Sequence, residues 1–295
     1  MKHHFADLLD REGDYWTVIP NMERFAFSLD QKIETPNEAK IVTISKDDKH
    51  WKQVFELPNI EELTLHEPNK EQVKAVSSIN GIKRLRISHV RLNDIEFISA
   101  FDNLEECVFE YVSGFSNLTP FSELKKLKSL HFENLKRVSD FSGLSGLDNL
   151  KYLHIDGTID WNQPIENLDF LKDLPNLEVL ALGFVSVKSD YPAFLSVLHL
   201  NKLKRIRIGL GTLTTNEYAF LETALPNTIC GAFGDSNNWE LCQDLGNRIE
   251  FLGKRAGWIN KDNKNANQRC QEFISKYESM KLEASEIIKD VANSK

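Results

Sequence analysis

A frame of four apolar residues recurs seven times in the sequence, and this repetition constrains the fold more than any other feature. In "LDNLKYLHI" the frame is Leu147, Leu150, Leu153 and Ile155, so two steps of three residues precede one step of two. The third apolar residue marks each copy, and successive markers lie 22, 22, 23, 23, 27 and 26 residues apart. Such a period is typical of stacked supersecondary units. The seven markers are Leu63, Leu85, Cys107, Leu130, Leu153, Leu180 and Ile206.

The change of period inside each copy predicts a corner in the chain. Apolar residues three apart fit a short helix or 3₁₀ turn, whereas apolar residues two apart fit a strand. In "KYLHID" the alternation of a strand directs Leu153 and Ile155 into the core, and directs Tyr152, His154 and Asp156 outward. No copy can bury its apolar face alone, so the copies are expected to stack, with one parallel strand each along a concave face.

The copies resemble leucine-rich repeats, LxxLxxLxL, over residues 57–210. Their nearest subclass is the 22-residue internalin-like type, because "LNDIEFISAF" from Leu92 and "VSDFSGLSGL" from Val138 match the segment that follows its strands. The resemblance implies an α/β solenoid with a parallel β-sheet on the concave face and short helices or 3₁₀ turns on the convex face. It also implies a role in binding another protein through the concave strands.

One feature of that family is absent from the sequence. The family usually has an asparagine five residues after the marker, where stacked amides bond to the turns. Because this chain has no asparagine there, its turns must satisfy their backbone groups in another way. The residues at these positions are Pro68, Val90, Val112, Leu135, Thr158, Val185 and Gly211.

The sequence divides into three predicted regions with nine or ten strands in all. Residues 1–56 are expected to form an N-terminal cap with one or two degenerate repeats, residues 57–233 the repeats, and residues 234–295 a C-terminal cap. The last region is expected to hold a short helix, one more strand and an amphipathic helix from about Ala266, which serves as a cap or as a dimer contact. The weak outer copies contain Ile19, Met22, Phe25, Phe27, Val42 and Ile44 upstream, and Leu225 and Phe233 downstream.

The outward positions of the predicted strands supply the candidate binding surface. Tyrosine and arginine are enriched among interface anchors, and charges of both signs alternate over the first strands. The alternative interpretation is a set of ion pairs that neutralise one another on a solvated face. Tyr111 and Phe184 flank the same strands. The predicted binding residues are Arg84, Arg86, Glu106, Glu110, His131, Glu133, Tyr152, His154, Asp156, Arg205 and Arg207.

A catalytic or metal-binding role rests on one patch only. His131 and Glu133 are expected to lie beside His154 and Asp156 of the next repeat, and two imidazoles with two carboxylates could ligate a divalent metal. The sequence contains no P-loop, GxGxxG, HExxH or GxSxG motif. We therefore expect no enzyme, no catalytic residue and no cofactor.

Composition limits the remaining function classes. The formal net charge is −8, which argues against general binding of nucleic acid or anionic membranes. None of the four cysteines forms a CxxC pair, and early acidic residues argue against a signal peptide, so a reducing cytoplasm is the expected compartment. Three hypotheses follow. They are a bacterial-type adaptor or scaffold, an immunity or inhibitor protein that neutralises a toxin or enzyme, and a metal or enzymatic protein; a monomer is expected.

Overall fold

The computed structural model describes residues 26–232 and 238–293, together with the backbone of three short strands before residue 26. Within these residues the strands are β1 (Lys2–His3), β2 (Asp10–Glu12), β3 (Tyr15–Thr17), β4 (Ala26–Ser28), β5 (Ile41–Ser45), β6 (Glu62–His66), β7 (Arg84–Arg91), β8 (Glu106–Ser113), β9 (Ser129–Glu133), β10 (Tyr152–Asp156), β11 (Gln163–Ile165), β12 (Val179–Gly183), β13 (Val185–Val187), β14 (Arg205–Ile208), β15 (Ile229–Gly231), β16 (Cys242–Asp244), β17 (Arg248–Phe251) and β18 (Trp258–Asn260).

Helices are short except at the C-terminus. The α-helices are α1 (Lys70–Val76), α2 (Thr215–Ala224) and α3 (Ala266–Asn293). The described 3₁₀ helices are Pro36–Glu38, Trp51–Glu56, Glu96–Ala100, Thr119–Glu123, Ser142–Leu144, Asp169–Asp173 and Leu195–His199. None of the helices described is long and apolar enough to cross a membrane.

One sheet of eleven strands runs through the molecule, in the order β1, β4 to β10, β12, β14 and β15. All neighbours from β4 to β15 are parallel, whereas β1 pairs antiparallel with β4. The markers of the repeats face one another, so that Leu153 pairs with Leu130 on one side and Leu180 on the other. Ten parallel strands in chain order, one per repeat, confirm a leucine-rich-repeat α/β solenoid.

The threefold spacing of the apolar frame has a direct cause in the backbone. The amide of Leu150 donates to the carbonyl of Leu147 at 3.0 Å, and the amide of Leu127 donates to the carbonyl of Leu124 at 3.0 Å. These bonds join residues three apart, as in a 3₁₀ turn, and so bring every third side chain to the core side. Leu153 and Ile155 are fully buried in the strand that follows. The corner predicted within each copy is confirmed.

Glutamine replaces the absent asparagine at two turns. Gln163 is fully buried; its Nε2 donates to the carbonyl of Val138 at 2.7 Å, and its Oε1 accepts from the amide of Leu135 at 2.9 Å. Gln72 donates through Nε2 to the carbonyl of Ser45 at 2.9 Å. Each glutamine belongs to the repeat that follows the turn, so the amide reaches back across one copy.

The outer copies predicted from the sequence form strands of the main sheet. β4 contains Phe27, and β5 contains Val42 and Ile44. β15 continues the sheet beyond β14 at Ile229, as expected of a decayed copy. The other predicted positions of these copies, Ile19, Met22, Phe25 and Phe233, lie outside the described residues.

The C-terminal region differs from the prediction of a short helix and one strand. β16, β17 and β18 form a three-stranded antiparallel sheet. Two of these strands have only three residues each, too short to show a clear alternation. The predicted amphipathic helix is present as α3, which packs against α2 and buries Tyr277 and Ala284. This long helix therefore covers the end of the repeats.

Candidate functional site

Parallel register arranges the outward residues of the strands into rows that cross the sheet. The amino-end row is formed by the first residue of each strand, and includes Glu62, Arg84, Glu106, Ser129 and Tyr152. The middle row, two residues later, includes Thr64, Arg86, Val108, His131 and His154. The carboxyl-end row, two residues later again, includes His66, Ser88, Glu110, Glu133 and Asp156.

The amino-end row holds a closed network of opposite charges. Arg84 Nη1 lies 2.5 Å from Glu62 Oε1, and Arg84 Nε lies 2.7 Å from Glu106 Oε2. Glu106 is only 2% exposed. Burial raises the pKa of Glu106 to about 7, against the opposing effect of the Arg84 guanidinium. This row follows the alternative interpretation of the sequence, in which ion pairs neutralise one another.

Arg86 forms an ion pair with an acidic residue of the next strand. Its Nε donates to Glu110 Oε2 at 2.8 Å, and its Nη2 lies 2.6 Å from the same oxygen. The bond runs diagonally, from the middle row of β7 to the carboxyl-end row of β8. The guanidinium of Arg84 already occupies Glu62 and Glu106, so Arg86 is directed toward the other end of the strands.

The two histidines of the predicted patch stack on each other. The rings of His131 and His154 are 4.2 Å apart at an angle of 26°, and Tyr152 meets His154 edge-on at 6.3 Å. Burial, the neighbouring His154 and the Arg86 cation lower the pKa of His131 well below its ordinary value. Neither ring nitrogen of His131 has a hydrogen-bond partner among the described residues. His131 is therefore a neutral, closely packed element of the middle row.

The predicted metal ligands are brought together without forming a metal centre. His131 pairs in register with His154, Glu133 pairs with Asp156, and His154 Nε2 lies 3.4 Å from Asp156 Oδ2. Within residues 26–232 and 238–293, no three histidine, cysteine, aspartate or glutamate side chains are placed to hold a metal ion. The patch is thus a cluster of polar groups and not a ligand cage.

The carboxyl-end row carries three acidic residues on consecutive strands, Glu110, Glu133 and Asp156. Burial raises the pKa of Glu133, and the nearby carboxylates of Glu110 and Asp156 raise it further. The Asp156 carboxylate extends over Gly183 of the next strand, where an added Cβ would lie 2.4 Å from Asp156 Oδ1. Glycine at this position makes room for the third carboxylate.

The residue that follows the carboxyl-end row forms a fourth row at the turn. Glu67, His89, Tyr111, Asn134 and Phe184 occupy it, and all five have a left-handed backbone, with φ from 37° to 57°. Non-glycine residues rarely adopt this conformation. It bends the chain within β7 and β8 and just after the end of β6, β9 and β12, and it leaves most of these side chains exposed at the rim of the sheet.

Aromatic rings at the rim adjoin the carboxylates. His89 and Tyr111 are stacked 4.8 Å apart at an angle of 6°, and the Tyr111 hydroxyl donates to the Glu133 carboxylate. Tyr111 is 39% exposed, and Phe184 is 46% exposed. We name the cluster of Glu110, Glu133, Asp156, Tyr111 and His89 the acidic corner.

The sequence predicted Glu110, Glu133 and Asp156 as binding residues and indicated Tyr111 as a flanking residue, but it missed His89. Its signal is positional, since His89 lies four residues after its marker, as Tyr111 does. The predicted residues Arg205 and Arg207 lie on β14, four places along the sheet from β8, and the structure does not bring them to this corner. Arg207 Nη1 donates to the carbonyl of Ala232 at 3.1 Å.

Comparisons with solved structures find repeat proteins of low sequence identity. The chain is similar to internalin C2 of Listeria monocytogenes, with 18% identity, 55% of this chain and 68% of that chain covered, and a TM-score of 0.40. An internalin, InlF, of the same species shares 18% identity, with 65% of this chain and 65% of that chain covered and a TM-score of 0.39. The plant peptide hormone receptor RGFR1 in complex with RGF2 shares 16% identity, with 64% of this chain and 30% of that chain covered and a TM-score of 0.39.

In the last two cases the match covers less than two thirds of the solved chain. No protein-family model and no curated protein sequence matches the chain. The leucine-rich-repeat architecture therefore rests on the register of the chain's own strands.

Proposed function

We propose that the protein is a non-enzymatic interaction module that binds a basic segment of another protein at the acidic corner. The observation that carries the proposal is the placement of three carboxylates on adjacent strands beside a stacked pair of exposed rings. Within the part of the chain that the structure describes, Glu110 is the one of the three that has an arginine partner, Arg86. The corner thus combines negative charge with aromatic faces.

This combination suits a lysine or arginine side chain from a partner. A guanidinium or ammonium is attracted to the face of a tyrosine ring and forms charge-assisted hydrogen bonds with carboxylates. Glu133 is half-buried and has a raised pKa, so an incoming cation would relieve the repulsion between it and its acidic neighbours. The net charge of −8 would also favour the approach of a basic partner.

Four predicted binding residues contribute in a different way. Glu106, His131, Tyr152 and Arg207 are buried. We infer that they support the shape of the face, while the corner supplies the contacts. Reversing the charge of Arg84 is consequently a poor test of binding, since it would leave Glu106 buried without its cation.

Selection from a random peptide display library against the purified protein tests the proposal. We expect the bound pool to be enriched in arginine and lysine, and we expect the Glu133→Gln and Tyr111→Ala variants to lose that enrichment. The matched control is Glu123→Gln, which removes an exposed carboxylate from a 3₁₀ helix on the convex side. A pool without basic enrichment, or one that Glu133→Gln leaves unchanged, would overturn the proposal.

An inhibitor or immunity role is the second candidate, favoured by the same negative charge. Binding stoichiometry separates it from an adaptor role. One basic enzyme that binds tightly and loses its activity in an equimolar complex would favour an inhibitor role. Several partners that keep their activity when bound would favour an adaptor role.

A further inference from the structure

The first turns of α3 lie against the cap sheet through a pair of aromatic rings. Phe251 of β17 and Phe273 of α3 are stacked 4.9 Å apart at an angle of 25°. Cys242 of β16 is the cross-strand partner of Phe251. Cys270 precedes Phe273 by three residues, and residues three apart share one face of a helix. The geometry therefore places a ring and a sulfur of the sheet opposite a ring and a sulfur of the helix.

The two sulfurs meet at this contact. The Cys242 thiol is hydrogen-bonded to the Cys270 side chain, and Cys242 Sγ lies 4.0 Å from the Cys270 carbonyl oxygen. Both residues are only partly buried, whereas Cys107 and Cys230 are buried. The partly accessible pair is thus distinct from the two cysteines of the core.

We propose that Cys242 and Cys270 form a reversible disulfide that fastens the start of α3 to the cap sheet. The proposed oxidant is a low-molecular-weight disulfide such as oxidised glutathione. One protein thiolate attacks it, forms a mixed disulfide and releases one glutathione thiol; the second protein thiol then displaces the other glutathione. Two electrons pass from the protein thiols to the reagent, and each leaving sulfur takes up a proton.

The order of attack follows from the surroundings of the two sulfurs. Burial and the hydrogen bond that the Cys242 thiol donates to Cys270 raise the pKa of Cys242 to about 12, so its thiolate is scarce at neutral pH. Cys270 is therefore assigned the first attack, and Cys242 resolves the mixed disulfide. The bond would close a loop whose ends are 28 residues apart in the sequence, and this loop contains β17, β18 and the polar linker before α3.

Oxidation of the folded protein tests the proposal. The reduced protein is incubated with oxidised glutathione, quenched by acid, denatured, and its remaining thiols are counted and mapped by mass spectrometry. We expect two of the four thiols to be lost, one cross-linked peptide joining Cys242 to Cys270, and full recovery of the thiols with dithiothreitol.

Single substitutions provide matched controls. Cys242→Ser should stop at a mixed disulfide on Cys270, whereas Cys107→Ser and Cys230→Ser should leave the cross-link unchanged. The oxidised protein should also melt at a higher temperature, since the closed loop constrains the unfolded chain. The proposal is overturned if the folded protein keeps all its thiols, if other cysteine pairs predominate, or if the Cys242–Cys270 link forms only in urea.

Discussion

Acidic residues at the two ends of the same parallel strands differ in how far their charge is neutralised. At the amino ends, Glu62 and Glu106 flank Arg84, and the charges are neutralised within the sheet. At the carboxyl ends, Glu110, Glu133 and Asp156 follow one another, and a single arginine serves Glu110. Position along the strand, more than residue type, therefore separates acids that pair within the sheet from the acids that we propose bind a partner.

The largest expected effect comes from removing the Arg84 cation at the amino ends of the strands. Arg84→Met leaves Glu106 buried without its cation, and we expect the free energy of unfolding to fall by about 3 kcal/mol. Urea denaturation followed by circular dichroism measures it. Adding Glu106→Gln to Arg84→Met should recover part of the loss, because the stranded carboxylate is then absent. Equal stability of Arg84→Met and the parent protein would show that the network is not structural.

Glu217, a buried carboxyl that accepts from a backbone amide, can be compared with Glu106, which is paired with Arg84. In α2, burial raises the pKa of Glu217 to about 7, although the amide of Ala193 donates to it. Since its folded pKa lies above its ordinary value of 4.5, Glu217 stabilises the protein below about pH 4.5 and loses this contribution as the pH rises through 7.

We therefore expect the stability of the parent protein relative to Glu217→Gln to fall by about 2 kcal/mol over that pH range. Urea unfolding curves at several pH values measure it. The exposed Glu123→Gln variant is the control and should follow the parent protein. A constant difference between parent and Glu217→Gln would refute the assignment.

The proposed role of the acidic corner is tested by measuring the protein's affinity for a basic peptide. Glu133→Gln should weaken the binding of an arginine-rich peptide selected on the parent protein by about tenfold, or about 1.4 kcal/mol. It should leave the unfolding midpoint nearly unchanged, because among the residues that the structure describes no lysine or arginine forms an ion pair with Glu133, and a glutamine can still accept from Tyr111. Isothermal titration calorimetry and a melting curve on the same sample measure both. Loss of stability without loss of affinity would place Glu133 with the structural acids.

The smallest expected effect concerns the rim beyond the carboxyl ends. His89 has a φ of 57°, which glycine adopts without strain and alanine does not. His89→Gly and His89→Ala both remove the ring that stacks on Tyr111, so the difference between them reports the backbone alone. We expect the glycine variant to be more stable by about 1 kcal/mol. Thermal unfolding of the two proteins measures it, and a more stable alanine variant would contradict the strain.

The fold was predictable because the apolar frame fixes the register. Leu130, Leu153 and Leu180 pair across the sheet as their spacing in the sequence requires. The exposure of the outward positions was less predictable. Alternation along a strand directs Glu106 and Glu133 to the same face, but only the packing of neighbouring strands decides that Glu106 is buried beside Arg84.

Two further features left little trace in the sequence. The left-handed positions include Glu67, Tyr111 and Phe184, residue types that give no sign of a positive φ. The sequence places Glu106 and Glu110 both within reach of Arg86 on the next strand. Arg86 pairs with Glu110 because Arg84 already pairs with Glu106. Such choices depend on neighbours that only the folded chain brings together.

The row of left-handed residues sets a length scale along the rim. Neighbouring strands of a sheet are about 4.8 Å apart, and the stacked rings of His89 and Tyr111 keep that separation of 4.8 Å. An α-helix advances about 5.4 Å per turn, so a helix lying along the rim would meet one side chain of the solenoid with each turn. The mismatch is about 0.6 Å per repeat, which leaves the two periodicities in phase to within half a turn over four repeats.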